Sequence, residues 1–196
     1  MSETKRVFDV LGALGLLIAL LPLLLIVAAL IAFTSRGPVL FRQTRCGLGG
    51  RPFTIYKFRS MYIGAIIGLE VVQAKRSDPR VTPIGRFIRR ASVDELPQLV
   101  NVLCGDMSLI GPRPHAIEHD QYYSERIPFY VKRFAAKPGL SGLAQANGFR
   151  GETPQLTDMA RRVRLDLVYI RTASVSGDVR LLAATVREMF FSSTAF

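Results

Sequence analysis

A long apolar segment, Val10 to Phe33, dominates the hydrophobic pattern at the start of the chain. Its 24 residues include no charged side chain and are interrupted only by two glycines and by Pro22. A straight helix of this length would measure about 36 Å, which exceeds the ~30 Å hydrocarbon core of a bilayer. The pattern therefore predicts a membrane helix, because the apolar core of a cleaved signal peptide is shorter.

Basic residues flank this segment on both sides. They are Lys5 and Arg6 before it and Arg36, Arg42, Arg45 and Arg51 after it. Cytoplasmic flanks of membrane helices are enriched in Lys and Arg, so both ends are predicted to be cytoplasmic. Pro22 removes a backbone hydrogen bond and clashes with the preceding helical turn. We therefore expect a re-entrant helix over residues 1–36, kinked at Pro22, and a simple spanning helix is the alternative.

The rest of the chain alternates short apolar runs with turns that are rich in glycine and proline. The runs at residues 39–42 and 53–58 flank a glycine turn, and this arrangement predicts a small β-hairpin. Apolar residues recur at helical spacing in residues 92–103, 156–172 and 178–191, and each of these stretches is predicted to be a helix.

Two glycine-rich stretches, residues 105–115 and 137–153, are predicted to be loops. The helices at 156–172 and 178–191 are amphipathic, and their apolar faces are expected to lie against the core or a membrane surface. The predicted fold class is α+β, mainly helical, with a re-entrant membrane helix, a small β-hairpin and amphipathic membrane-surface helices.

Charge narrows the range of partners. The chain has 26 Lys and Arg against 15 Asp and Glu, a formal net charge of +11, which indicates a nucleic acid, an anionic lipid surface or a phosphorylated substrate. The apolar segment already brings the basic residues to an anionic lipid surface, so we expect no nucleic-acid partner. With only two cysteines a disulfide framework is not expected, and the soluble part fits a reducing, cytosolic setting.

Two adjacent carboxylates in the stretch SVDELPQL, Asp94 and Glu95, have two interpretations. Ser92 and Glu95 fit a capping box, in which both acids only stabilise a helix start. Alternatively, the pair serves phosphoryl transfer: an Asp can be a nucleophile toward phosphorus, and a divalent metal such as Mg²⁺ takes one or two carboxylates beside substrate phosphates. A helix that begins at Ser92 would place Pro97 where its missing amide costs a hydrogen bond, whereas a start nearer Asp94 would not.

Several cations are placed to bind an anionic substrate. Lys57 and Arg59 alternate along a predicted strand and therefore share a face. Arg89 shortly precedes the two acids, and Arg113 lies between two prolines that restrict its backbone. A guanidinium held in this way suits bidentate binding of a phosphate.

The two histidines offer a competing hypothesis. His115 and His119 match H-x-x-E-H, a metalloprotease pattern. His115 directly follows Pro-Arg-Pro and would begin the helix, and any third ligand would have to be a carboxylate. A zinc hydrolase is therefore kept as an alternative.

Five motifs in sequence order resemble the bacterial sugar transferases, the monotopic polyprenol-phosphate phosphoglycosyl transferases. The motifs are KRVFDV, GRPFTIYKFRSM, SVDELPQLVNVLCGDMSLIGPRP, KPGLSGLAQANG and DLVYIR. The resemblance covers essentially the whole chain, which looks like the stand-alone catalytic domain without the membrane bundle of larger members. It implies two parts, a re-entrant helix over residues 1–36 and a catalytic domain at the cytoplasmic face over residues 37–196.

The resemblance also implies a reaction. Asp94 would attack the β-phosphorus of a UDP-sugar and release UMP, and the phosphosugar would then pass to undecaprenyl phosphate. Glu95 matches an acid associated with Mg²⁺. The matching substrate-binding positions are Lys57, Arg59, Arg89, Arg113 and Gln145. The stretches GFRGET and GPRPHAIEHD resemble members that use UDP-glucose or UDP-galactose.

The implied setting is the bacterial cytoplasmic membrane, with the N-terminus and the catalytic domain on its cytoplasmic face. The product would initiate the assembly of an exopolysaccharide or another glycoconjugate. A homodimer is compatible with the sequence. The alternative of a different class is a basic adaptor at the membrane surface whose acids only cap a helix.

Overall fold

The computed structural model describes residues 2–64, 78–149, 151, 153 and 155–191. Within them the helices are α1 (Glu3–Thr34), α2 (Pro83–Arg90), α3 (Gln98–Cys104), α4 (Ile117–Arg126), α5 (Leu143–Ala146), α6 (Leu156–Thr172) and α7 (Val175–Phe191). The strands are β1 (Leu40–Cys46), β2 (Pro52–Phe58), β3 (Ser108–Ile110) and β4 (Gly139–Ser141). Short 3₁₀ turns lie at Leu48–Gly50, Val93–Glu95 and Tyr130–Ala135. The mainly helical α+β prediction is confirmed.

The predicted hairpin is confirmed and is longer than expected. β1 and β2 pair antiparallel from Leu40 opposite Phe58 to Cys46 opposite Pro52. Gly49 and Gly50, with φ of +65° and +75°, provide the left-handed conformations that the turn requires. The hairpin therefore forms a ribbon whose Leu40 end and Cys46 end are about 20 Å apart.

The prediction of loops at residues 105–115 and 137–153 is wrong in part. β3 and β4 pair parallel, and α5 follows β4 directly. Both strands have three residues, which are too few to show the alternation that marks a strand in the sequence, and β3 is buried throughout. A Cβ on Gly139 would lie 2.0 Å from the amide nitrogen of Gly111, so the glycine that suggested a loop permits close backbone approach.

The N-terminal end of α1 is fixed to the rest of the molecule by three charged residues. Arg6 donates to two carbonyls of the last turn of α3 at 2.6 and 2.7 Å, where a cation is favourable. Asp9, fully buried, accepts a hydrogen bond of 3.0 Å from the amide of Leu109. Lys5 pairs with Asp178 of α7. The basic flank seen in the sequence therefore also contacts the protein.

The C-terminal end of α1 is held by a different part of the same unit. Val27 and Ile31 are buried in a cluster with Phe58 of β2 and Ile88 of α2. Arg59 donates to the carbonyl oxygen of Ser35 at 2.7 Å, just after the helix. Both ends of α1 are thus bound to one globular unit.

Between these ends α1 exposes a long apolar surface. Among the described residues it is the one helix that is long and apolar enough to cross a membrane, and 11% of its most apolar stretch is buried. Leu11, Ile18, Leu25 and Ile26 are more than half exposed. The helix runs through Pro22 in one piece. The kink and the re-entrant course stay predictions.

The core of the globular part lies between α1, the hairpin, α3 and the parallel strands. Leu99 and Val102 of α3 pack there with Ile55 of β2 and Leu109 of β3. The apolar face predicted for α6 is buried through Met159 and is therefore a core face. The membrane-surface placement of the amphipathic helices stays a prediction.

Asn101 of α3 joins this helix to the hairpin. Its side chain donates to the carbonyl of Thr54 at 2.7 Å and accepts from the amide of Tyr56 at 3.1 Å. Residues 54–56 of β2 are thereby held against α3, directly before Lys57.

We expect Asn101→Ala to lower the free energy of unfolding by about 2–4 kcal/mol, because two backbone groups lose their partner. The measurement is thermal unfolding in detergent. Asn147→Ala is the matched control, since the Asn147 side chain is exposed and, among the described residues, donates to the nearby carbonyl of Leu143. An equal effect of both substitutions would contradict the assignment.

Candidate active site

A cavity of about 1110 Å³ lies beside β1 and beside the turn that carries Asp94 and Glu95. Its cationic lining residues are Arg42, Arg45, Lys57, Arg59, Arg80, Arg89, Arg113 and Arg162. Asp94 and Glu95 are the acids among its described lining residues, so positive charge dominates. Such a cavity suits an anionic ligand.

The capping-box interpretation of SVDELPQL is wrong. Ser92 adopts φ 56° and ψ 18°, and its side chain makes no cap hydrogen bond. Asp94 and Glu95 lie in the 3₁₀ turn, and α3 begins only at Gln98, with Pro97 at its N-cap. The missing amide of Pro97 therefore costs no helical hydrogen bond. This later helix start leaves the two acids outside α3.

Glu95 is held between two cations. Its Oε1 accepts a hydrogen bond from Lys57 Nζ at 2.8 Å, and Arg113 binds both carboxylate oxygens through its two terminal nitrogens, one at 2.9 Å. Burial lowers the pKa of the Lys57 ammonium, while the charge of Glu95 acts in the opposite direction. The three residues come from β2, the 3₁₀ turn and the segment after β3, so this pairing joins three parts of the fold.

Asp94 has a perturbed carboxyl group. It is 9% exposed. Burial and the adjacent charge of Glu95 raise its pKa to about 6, against the opposing effects of Lys57, Arg89 and Arg113. Above that pH, Asp94 is an ionised, poorly solvated carboxylate, which is a condition that favours a nucleophile.

Arg133 supports the position of Arg113, a contact that no motif in the sequence predicts. Its guanidinium donates to the carbonyl oxygen of Arg113 at 2.6 Å and pairs with Asp166 at 2.9 Å. Both Arg133 and Asp166 are almost fully buried. On the other side of Arg113, the carbonyl of Pro112 accepts a 2.9 Å hydrogen bond from Gly139. Fixed backbone on both sides holds the Arg113 side chain toward Glu95.

Of the other predicted substrate-binding residues, some line the cavity and one does not. Arg89, in the last turn of α2, lines the cavity. Arg59 also lines it, although one of its nitrogens bonds Ser35 after α1. Gln145 of α5 is buried and does not line the cavity. The structure thus brings together Lys57, Arg59, Arg89 and Arg113 with both acids, and it leaves Gln145 apart from them; a role for Gln145 in binding substrate stays a prediction.

The metal hypotheses differ in their fit. Among the described residues no three His, Cys, Asp or Glu side chains come together as a metal site, and His115 uses Nδ1 to contact Arg133 and Tyr130. Nothing here supports the zinc hydrolase. Mg²⁺ needs only one or two carboxylates beside substrate phosphates, and Asp94 and Glu95 supply two in a cavity suited to phosphate. The two Glu95 oxygens bond Lys57 and Arg113, so Mg²⁺ at Glu95 would compete with these cations.

His115 is buried among cations. Burial and the charges of Arg133, Arg162, Arg45 and Arg113 lower the pKa of its imidazole well below the ordinary value. The ring is therefore neutral at physiological pH.

An ionisable carboxylate in a cation-lined cavity, beside a membrane-type helix, is the arrangement expected of an enzyme that handles phosphorylated substrates at a membrane. The family model for bacterial sugar transferases matches residues 1–192. The chain therefore belongs to the bacterial sugar transferase family.

Several relatives cover almost the whole chain. A UDP-glucose:undecaprenyl-phosphate glucose-1-phosphate transferase of Caulobacter vibrioides is 52% identical over 192 residues, which are 98% of this chain and 72% of the relative. The enzyme of the same name from Escherichia coli is 46% identical over 98% of this chain and 41% of its own length. The exopolysaccharide production protein PSS of Rhizobium leguminosarum is 45% identical over 93% of this chain and 92% of the relative. The chain thus spans about two-fifths of some relatives and most of others.

The raised pKa of Asp94 predicts how stability depends on pH. The folded chain holds this proton more tightly than the unfolded chain, so ionisation of Asp94 opposes folding. We expect Asp94→Asn to unfold at a higher temperature than the native chain at pH 7 to 8. This difference should shrink as the pH falls through about 6 and vanish near the ordinary pKa of Asp, about 4.

The measurement is thermal unfolding of both proteins in detergent between pH 4 and 8. Asp106→Asn, at an exposed position outside the cavity, is the control. A difference that does not change with pH would contradict the raised pKa.

Proposed function

We propose that this chain transfers glucose 1-phosphate from UDP-glucose to undecaprenyl phosphate through a phosphosugar intermediate on Asp94, and that it releases UMP. The observation that carries the proposal is a buried Asp94 with raised pKa beside Glu95, in a cavity lined mostly by cations. The names of the Caulobacter and Escherichia relatives support UDP-glucose as the donor.

In the first step the Asp94 carboxylate attacks the β-phosphorus of the donor. A bond forms between a carboxylate oxygen and this phosphorus, and the bond to the bridging oxygen breaks, so that UMP leaves with that oxygen. Lys57, Arg89 and Arg113 orient the diphosphate and balance its charge. Mg²⁺ would be held by Glu95 and phosphate oxygens of the donor, and it would neutralise charge on the diphosphate.

In the second step a phosphate oxygen of undecaprenyl phosphate attacks the same phosphorus. The bond to Asp94 breaks, the carboxylate is regenerated, and a diphosphate-linked sugar is formed. The cavity suits this acceptor because it extends from Arg59 at the C-terminal end of α1 to the acids. The product fits a first intermediate in exopolysaccharide or other glycoconjugate assembly, consistent with the name of the Rhizobium relative.

The proposed location is the cytoplasmic face of the bacterial inner membrane, with a re-entrant α1 in residues 1–36 and the catalytic part in residues 37–196. Contacts at both ends of α1 support this topology, because the far end of a spanning helix would lie across the bilayer from the globular unit. The exposed apolar surface between those ends suits contact with lipid.

The function is tested with Asp94→Asn. We expect UMP release from UDP-glucose to fall about a thousandfold or more, because the nucleophile is lost. Without undecaprenyl phosphate, the native chain should release about one UMP per molecule and retain labelled glucose phosphate, and the variant should do neither. Asp106→Asn should keep both activities, and EDTA should reduce turnover until Mg²⁺ is restored.

Unchanged turnover in Asp94→Asn would contradict the catalytic role. That result, with unchanged membrane binding, would favour the alternative of a basic membrane-surface adaptor. An adaptor function does not require a buried acid of raised pKa, so the surroundings of Asp94 do not favour it.

The topology is tested by labelling single cysteines placed at Ser2 and Arg36, in a background in which Cys46 and Cys104 are replaced by Ser. We expect a membrane-impermeant maleimide to label both sites in inverted vesicles and neither in intact spheroplasts. Labelling of one site from the periplasmic side would show that α1 spans the membrane.

A further inference from the structure

Three buried N–H groups at one end of the cavity have no partner among the described residues. They belong to Nε2 of His115 and to the Nε atoms of Arg45 and Arg162. His115 is 7% exposed and Arg162 is 4% exposed, and all three residues line the cavity. A buried donor without an acceptor is costly, so a ligand oxygen at this place would satisfy groups that the protein leaves unpaired.

The tautomer of His115 follows from its neighbours. A guanidinium nitrogen of Arg133 lies 2.9 Å from Nδ1, and because a guanidinium can only donate, we assign Nδ1 as the acceptor and the ring hydrogen to Nε2. Arg133 is itself fixed by Asp166 at 2.9 Å. The His115 ring is neutral, because burial and the neighbouring arginines lower its pKa, and its Nε2–H is a hydrogen-bond donor.

The two arginines need a counter-charge. Among the described residues, neither Arg45 nor Arg162 has a carboxylate within 4.0 Å. Burial and the charge of Arg113 lower the pKa of both guanidinium groups to about 10. A ligand that carries negative charge would restore the balance.

The position of these donors follows from the hairpin. Leu40, at one end of β1, packs beside the C-terminal part of α1, and Arg45, near the other end, forms a bridge to Ala116, next to His115. Five strand steps, or about 17 Å, separate Leu40 from Arg45. The donors therefore lie at the end of the cavity away from the C-terminal end of α1.

We propose that His115, Arg45 and Arg162 form the subsite for the phosphate of the leaving UMP, the α-phosphate of the donor. The assignment rests on the proposed function, because it presumes a nucleotide donor whose β-phosphorus lies at Asp94. Arg45 and Arg162 match the charge of this phosphate, and His115 Nε2–H donates to one of its oxygens. The subsite holds the negative charge that develops on UMP as the bond to the β-phosphorus breaks.

The test compares the binding of UMP and uridine to the full chain in detergent, by calorimetry or by competition. The phosphate preference is the ratio of the two affinities. We expect His115→Phe and Arg162→Gln to reduce this ratio about tenfold or more, as loss of a hydrogen bond to a charged group predicts. His115→Gln keeps an N–H near the Nε2 position and should stay within about threefold of the native ratio.

Arg161→Gln is the matched control, because Arg161 is the exposed neighbour of Arg162 on α6, and it should keep the native ratio. Thermal unfolding of each variant separates a folding defect from a binding effect. A ratio unchanged in His115→Phe and Arg162→Gln would overturn the proposal, as would an equal loss in the Phe and Gln variants at position 115. Failure of the native chain to prefer UMP over uridine would also overturn it.

These outcomes are separate from the proposed function. A native chain that prefers UMP but releases none from UDP-glucose would contradict the transferase reaction and leave the phosphate subsite supported. A native chain that turns over UDP-glucose while His115→Phe keeps its phosphate preference would contradict only the subsite.

Discussion

The pairing of Glu95 with Lys57 and Arg113 is the interaction on which the geometry of the cavity depends. Lys57 comes from the hairpin, Glu95 from the turn before α3, and Arg113 from the segment after β3. Two adjacent acids are costly to bury, and opposite charges from two directions offset that cost. Asn101 holds the strand that carries Lys57, and Arg133 holds the backbone of Arg113. Contacts from several parts of the fold therefore fix the groups around the Glu95 carboxylate.

The division of roles between the two acids follows from these surroundings. Glu95 takes direct ion pairs, whereas Asp94 has no cation within 4.0 Å among the described residues, feels Lys57, Arg89 and Arg113 at longer range and has a raised pKa. One acid is thus kept charged and bound, and its neighbour is kept poorly solvated. Two identical chemical groups, adjacent in sequence, differ because only one meets the cations directly.

The sequence predicted those parts of the fold that carry a long local pattern. The apolar run from Val10 to Phe33, the alternation of the hairpin and the helical spacing in α6 are of this kind. The parallel strands were missed because three residues are too few to show a period, and because a glycine there permits close approach of two backbones. The start of α3 was misread as a capping box because Ser92 and Glu95 have the correct spacing, and only the positive φ of Ser92 excludes it.

Within the candidate site, sequence motifs predicted both acids and most of the cations. The structure shows that these residues line one cavity. No sequence pattern in either segment predicts the contact between Arg133 and Asp166, which lie 33 residues apart. Arg59 also takes part in a coupling that no motif suggests, since it bonds the chain after α1 and lines the cavity. In a bilayer, the insertion depth of α1 would therefore set the distance of the cavity from the membrane surface. A shift of α1 along the bilayer normal would then move Arg59, and the cavity it lines, relative to the lipid headgroups.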